Sequence, residues 1–529
     1  MTLISRRTAV AAGGSVVAGM LCASPAAALV RGAGRDQVPV SISPGYVARA
    51  LGAASADGGG WQSLACLSPT GRGDAGAPLL AASHGSARVA SAEELAAHLA
   101  GPAVSFLTVP AAGGRSPVAA VAGVGIARGT RAALSGPLRE DDQRIASVAV
   151  PAGTLGNGAL AATGWGTLLC AEAGGASNFG TRQAGWRGNE AQWRYGVGAA
   201  GDDDWSALDE RFDIGRDERL AGRFGWVLEQ AVPGGGRRPP VKRTALGRLR
   251  HSGLAVSESH GRAVVYTGDG EDGEYLYKFV SHGASGEPLD DGVLHVARLG
   301  GDGRGRWLPM AHGQGPLTRA NGWRDQADVL LRTRLAADAV GATPLPAPGR
   351  IAADARRGQL LCALAGPSGP AGCAAVGHAR SRATGARVAA LPGNLLWLRE
   401  DGGDPAATGF RWFGALLSEQ GLRSASADQP PAERPTVRDV QYDARGRLWA
   451  VVAEDPARGA GDELLVVDTA RGRAERVLAA RRGARFTATA VAPDGRQAFV
   501  AVRSPEDERG AVLLSVHRPD EHPVTAAAA

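Results

Sequence analysis

Lysine is almost missing from this chain of 529 residues. Only Lys242 and Lys278 occur, so nearly all of the 58 basic residues are arginine. The arginines are scattered among 52 acidic residues, leaving a formal net charge of +6. Aromatic residues make up 5% of the chain and nowhere interleave with a basic stripe, which argues against a nucleic-acid partner. The excess of arginine and alanine reads as a compositional bias of the source. No segment approaches about 20 uninterrupted apolar residues, so no stable membrane span is expected. The five cysteines, Cys22, Cys66, Cys170, Cys362 and Cys373, form no C-x-x-C pair and no disulfide framework. A Cys362–Cys373 bridge in an oxidising compartment stays open. There is no G-x-S-x-G, P-loop or H-E-x-x-H. Ser252 beside His251 does not replace them as a nucleophile and base, because adjacent strand residues face opposite ways.

Glycine is abundant at 77 residues, with 31 prolines, which points to many turns. Long helical periodicity is scarce. A polar, Gly-bearing turn feeding a short apolar run recurs in "HGRAVVYTG" (260–268), "ADARRGQLLCALA" (353–365), "DARGRLWAVVA" (443–453) and "PDGRQAFVAV" (493–502). Further strands are expected at 103–109, 166–172, 223–230 and 292–299. Recurrence of turn and strand over most of the chain predicts an all-β fold, a β-propeller with long loops and short helix insertions. Two helices are expected. One spans 90–100, capped by Ser91 and stopped by Gly101; the other spans 325–342, ended by Gly341. Long loops are expected at 66–78, 232–240, 366–376 and 422–435.

The first 28 residues read as a twin-arginine (Tat) signal: Arg6 and Arg7, a mild Ala/Gly-rich apolar stretch, then the small residues "SPAAA". Residues 29–529 are expected to form one propeller domain, a periplasmic or extracellular monomer with the Tat translocase as its partner during export. Tat carries folded clients, many built around a cofactor.

Several longer segments resemble one family. "VKRTALGRLRH" (241–251), "AVVYTGDGEDGEYLYKFVS" (263–281), "WLPMAHGQGPLT" (307–318), "TRLAADAVGATP" (333–344) and "LREDGGDPAATGFRW" (398–412) are similar to PhoX-type alkaline phosphatases, over roughly residues 70 to 510. The resemblance implies a propeller, Tat export, and phosphomonoester hydrolysis with iron and calcium held by carboxylates and a cysteine. Such chemistry stabilises the phosphoryl transition state with metals and arginine, and those metals want hard oxygen ligands.

The chain departs from the family at those ligands. Where the family has His-Glu-Gly, this chain has His251, Ser252 and Gly253. Gly-Asp-Asp-Glu becomes Gly268, Asp269, Gly270 and Glu271. Asn-His-Glu becomes Ser83, His84 and Gly85. The Arg-Pro-Glu that supplies a catalytic arginine becomes Ala347, Pro348 and Gly349, which leaves the catalytic residue unknown. Pro-Asp becomes Val437 and Arg438, and Gln-His-Pro becomes Arg503, Ser504 and Pro505. In the cysteine motif, an ungapped reading puts Ala171 at the cysteine position and Glu172 at the first glutamate. A one-residue deletion would restore Cys170 and put Ala171 at the glutamate. Fold residues kept and site residues replaced imply a binding or scaffold propeller with weak or no phosphatase activity, holding calcium alone or no metal, and open to a small-molecule or phosphoester ligand. The alternative is an active metal-dependent phosphomonoesterase with a rearranged calcium/iron site, its ligands drawn from Glu172, Asp269, Glu271, Asp272 and Glu274 with His84 or His251.

Overall fold

The computed structural model describes residues 28–519 except 32–36, 55–59, 68–77, 86–88, 113–117, 122–124, 147–152, 199–203, 235–237, 284–287, 365–390, 392–393, 426–434, 454–460, 493–494 and 505–510. Arg6, Arg7, Cys22, Cys373 and Pro505 therefore lie outside the described residues, as does most of the loops expected at 66–78, 366–376 and 422–435.

Six strands form the inner ring of a propeller: Trp61–Leu67, Asn157–Ala162, His251–Ser259, Pro348–Asp354, Thr436–Tyr442 and Arg485–Val491. Each packs on the next and the sixth packs on the first, closing the circle. Each leads a blade, numbered here 1 to 6 in chain order; the pairing is antiparallel except in blade 2, where Ala133–Ser135 joins Val241–Arg243 in parallel. Arg304–Pro309 pairs with both Gly292–Leu299 and Gly409–Ser418, fusing blades 3 and 4 into one sheet. Blade 6 is completed by a strand from the other end of the chain, Val47–Ala54, which pairs with Ala511–His517.

Blades stacked face to face bury both sides of their strands, so the strands are apolar throughout rather than alternating. "LWAVVA" (Leu448–Ala453) is buried at every position. Six apolar clusters fill the six gaps between blades. Leu160, Leu168 and Cys170 meet Ala65 and Phe106 between blades 1 and 2. Leu169 and Ala171, on the other face of the same strand, meet Val265 and Tyr277 of blade 3. The "HGR" turn is a two-residue hairpin in which His260 and Gly261 both take positive φ, 49° and 74°, the backbone that matches strand twist.

The first expected helix is present as Ala92–Ala100, with Ser91 accepting from Glu94 N and Gly101 closing it. The second is interrupted. It forms Gln326–Leu331 and Thr333–Val340, broken at Arg332. The cause is an intruding donor: Arg248 N bonds both Leu330 O and Thr333 Oγ1, taking a carbonyl from the helical ladder. The described part of the loop expected at 422–435 begins as strand, since Gly421–Ser424 pairs with Gly409–Ser418.

Candidate functional site

All inner strands run the same way, so their first residues gather around one end of the propeller axis. There they enclose a cavity of about 1080 Å³, to which every blade contributes. Its wall is largely glycine and alanine, and into it project Arg250, Arg350, Arg438, Arg482, Arg485 and Arg503. Asp462 is the one carboxylate among the described lining residues. It is already engaged: Oδ1 faces Arg438 Nε at 3.3 Å and Oδ2 accepts from Phe486 N at 2.9 Å. Burial pushes its pKa up, against the pull of Arg438.

The positions where the motifs change fall on this wall. Gly85, Ser252, Gly270, Ala347, Gly349 and Arg438 all line the cavity, as does Arg503; Ala171 does not. Ser252 and Gly270 fit one another: a Cβ at Gly270 would lie 1.8 Å from Ser252 Oγ. Gly349 is under no such demand, because a Cβ there would meet only carbonyl oxygens at 3.5 and 3.9 Å. Ala347 sits at φ 42°, a left-handed backbone that a non-glycine residue rarely adopts.

The acidic and histidine candidates do not converge on the cavity. Glu172 is fully buried. Its Oε1 receives Lys242 Nζ at 2.8 Å and Leu155 N at 3.2 Å; its Oε2 receives Gly225 N at 2.9 Å and Trp226 N at 3.0 Å. Asp269 is clamped by Arg334, with Nε and Nη2 each at 2.6 Å, and burial raises its pKa against that pull. Glu274 is paired with Arg194, which also holds Asp338. Glu271 lies 3.5 Å from Arg250. His84 Nε2 contacts Ser105 Oγ at 2.9 Å. His251 is buried between Thr267 Oγ1 (2.8 Å) and Gly247 O (3.0 Å), and burial lowers its pKa to about 4. Cys170 faces blade 1 while Ala171 faces blade 3, the face change that one strand step produces. Asn157, at the cavity wall, donates to Cys170 Sγ at 3.4 Å, and burial raises the thiol pKa to about 12. Cys362 is buried in blade 4 and likewise raised to about 12.

Arg482, Arg485 and Asp462 escaped the sequence reading. One signal was available for the arginines: Arg485 and Arg503 are nearly equidistant from the "PDGR" turn of a hairpin, which places them opposite one another.

The sequence matches the alkaline phosphatase PhoX family over residues 83–506. The chain belongs to this family. The structure of Pseudomonas fluorescens PhoX in complex with vanadate, a transition state analogue, superposes with a TM-score of 0.77 at 27% identity, covering 95% of this chain and 98% of that one. A gluconolactonase from Xanthomonas campestris reaches a TM-score of 0.30 at 12% identity, over 94% of this chain and 99% of that one, too loose a fit to argue from. No curated protein sequence matches the chain. Among the described residues no helix is long and apolar enough to cross a membrane.

Family membership implies bound metal, and the residues of this cavity do not suit one. Iron and calcium sites need several anionic oxygen ligands. Here a single, arginine-paired aspartate faces six guanidiniums. Among the described residues no group of three or more His, Cys, Asp or Glu side chains is placed to hold a metal ion.

Proposed function

We propose that this protein is a Tat-exported, periplasmic or extracellular PhoX-family propeller that has exchanged the family's metal-dependent phosphomonoesterase site for a binding site, acting as a monomer on a small ligand. The observation that carries this reading is the axial cavity. Its wall is built from the very positions where the family's ligand motifs change, and its charged lining is arginine rather than carboxylate. The acidic candidates support it from the other side, since Glu172, Asp269 and Glu274 each spend their oxygens on a buried lysine or arginine. Drawing such a carboxylate away to coordinate a cation would strand its buried lysine or arginine as an unpaired charge.

The test is metal analysis of the purified exported protein, together with p-nitrophenyl phosphate turnover with and without calcium. Substoichiometric iron, turnover indistinguishable from buffer, and a melting temperature unmoved by a chelator are expected. Stoichiometric iron with turnover would overturn the proposal.

A further inference from the structure

The outer rim of the fused blades carries a row of arginines that no sequence motif announces. Arg298, Arg304, Arg306, Arg399 and Arg411 stand on four neighbouring strands, Gly292–Leu299, Arg304–Pro309, Gly409–Ser418 and Leu395–Glu400. Arg298 is the direct partner of Arg306, and Arg411 of both Arg304 and Arg399. Direct partners share a face, as do residues two apart on a strand, so all five point the same way. The opposite face is apolar: Trp307, Leu398 and Phe410 pack between blades 3 and 4. All five arginines are exposed, and none makes a side-chain hydrogen bond or ion pair with a described residue. Elsewhere surface arginines often stand beside carboxylates, as in Arg211–Asp209, Arg216–Glu210 and Arg471–Asp468. At the edges of the row, Asp302 Oδ1 accepts from Arg304 N and Asp401 lies over Gly409; neither forms an ion pair with a described residue. The row crosses about 14 Å, three strand spacings.

One pair further along two of these strands, Trp397 and Phe413 stand opposite each other, with ring centroids 4.6 Å apart and planes at 28°. They lie on the arginine face, and Phe413 is 36% exposed. Directly opposed like charges repel, and a polymer of repeating negative charge answers them. Guanidinium groups hold carboxylates through paired N–H donors. Three features select among anionic polymers. The cations step by about 4.8 Å from strand to strand, near the length of one pyranose residue. A single-stranded nucleic acid stacks successive bases on aromatic rings, whereas five arginines here share one aromatic pair. A membrane surface calls for aromatic side chains that reach the headgroups; these two lie stacked on each other, with Trp397 packed against the core between blades 4 and 5. A sugar acid offers both complements, an apolar C–H face for the exposed ring and a carboxylate for the guanidiniums. We infer that this rim binds a carboxylate-bearing polysaccharide, a chain of uronic acids. The surface is separate from the axial cavity, and the inference stands whether or not that cavity hydrolyses.

The experiment measures binding of the purified protein to immobilised polygalacturonate by biolayer interferometry, in chelator and at two salt concentrations. Three comparison polymers separate the contributions: methyl-esterified polygalacturonate keeps the sugar without the charge, polyglutamate keeps the charge without the sugar, and single-stranded DNA supplies phosphate and bases. Polygalacturonate is expected to bind saturably, roughly tenfold or more tightly than each of the three, and to weaken with salt. Arg304→Gln, Arg399→Gln and Arg411→Gln combined should lose roughly tenfold or more in affinity. This triple variant should melt no lower than the parent, because it removes opposed like charges; that separates loss of binding from loss of folding. Arg139→Gln, Arg187→Gln and Arg319→Gln combined remove the same charge from exposed positions outside the row and should bind as the parent does. Phe413→Ala should weaken binding several-fold while leaving its salt dependence unchanged. No saturable binding, equal or tighter binding by polyglutamate, by DNA or by the methyl ester, unchanged affinity in the row variant, an equal loss in the control variant, or unchanged affinity in Phe413→Ala would each overturn the inference.

Discussion

Replacing Glu172 by glutamine tests most directly whether that carboxylate is a buried lock or a metal ligand. The change keeps the shape and exchanges one oxygen for an NH2 group. Either orientation is wrong. With the NH2 at Oε2 it faces the N–H groups of Gly225 and Trp226; turned over, it faces Lys242 Nζ and Leu155 N. A donor set against two donors leaves them unsatisfied at about 1–3 kcal/mol each, and breaking a buried ion pair costs about 3–5 kcal/mol. The terms overlap, and Lys242, whose pKa burial already lowers, can shed its proton and still donate to Arg223 O at 2.8 Å. A loss of about 3 kcal/mol is therefore expected. With an unfolding entropy of roughly 2 cal/mol/K per residue over about 500 residues, near 1 kcal/mol/K in total, the melting temperature falls by about 3 °C. Lys242→Met should cost at least as much, because Glu172 keeps its three backbone donors but loses its buried ion-pair partner, and Arg223 O loses a donor. Calorimetric melts in chelator check both, and the differences should be the same after calcium or iron is added. An E172Q protein that melts with the parent in chelator, or differs only when metal is present, refutes the reasoning.

Acid should destabilise the protein through His251. Its pKa falls from 6.5 to about 4 on burial, so the folded state binds fewer protons than the unfolded one; the stability is present above pH 6.5 and lost as pH drops through 4, about 3 kcal/mol in all. Urea melts between pH 7 and 4 should show a shallower acid slope in H251Q, and an unchanged slope would remove His251 from the account. Gly270→Ala should cost about 1–3 kcal/mol by forcing Ser252 aside, with much of the loss recovered when Ser252→Gly is added; equal stability of the two G270A forms would contradict the steric account. Ala347→Gly should raise stability by up to about 1 kcal/mol by relieving a left-handed alanine, read from the urea midpoint, and a lowered midpoint would argue against strain there.

Much of the blade structure was legible because fully buried strands announce themselves: "LWAVVA" and "AVVYTGD" are short, apolar and bounded by Gly turns. The wall of the cavity was legible through the motifs, since Gly85, Ser252, Gly270, Ala347, Gly349 and Arg438 come from five separate motif departures that meet at one place. What stayed hidden depends on long-range pairing. Nothing local ties Glu172 to Lys242, 70 positions later, or Asp269 to Arg334, so free-looking carboxylates invited a metal reading that their partners alter. The helix expected at 325–342 looked continuous because the donor that breaks it, Arg248 N, lies in another blade's approach. Asp462 and Arg482 belong to segments with no motif, and only ring closure brings them to the axis.

That closure has a consequence for how the molecule is made. The strand Val47–Ala54 latches onto Ala511–His517, so a growing chain can form its first five blades and still be an open arc until its last strand is synthesised. Joining ends some 460 residues apart costs only about 5 kcal/mol of loop entropy, yet it is a non-local step, slow and exposed to misassembly. Until the latch engages, the strand Ala511–His517 offers an unpaired edge to any other chain, and the axial cavity, which needs blade 6 beside blade 1, does not yet exist.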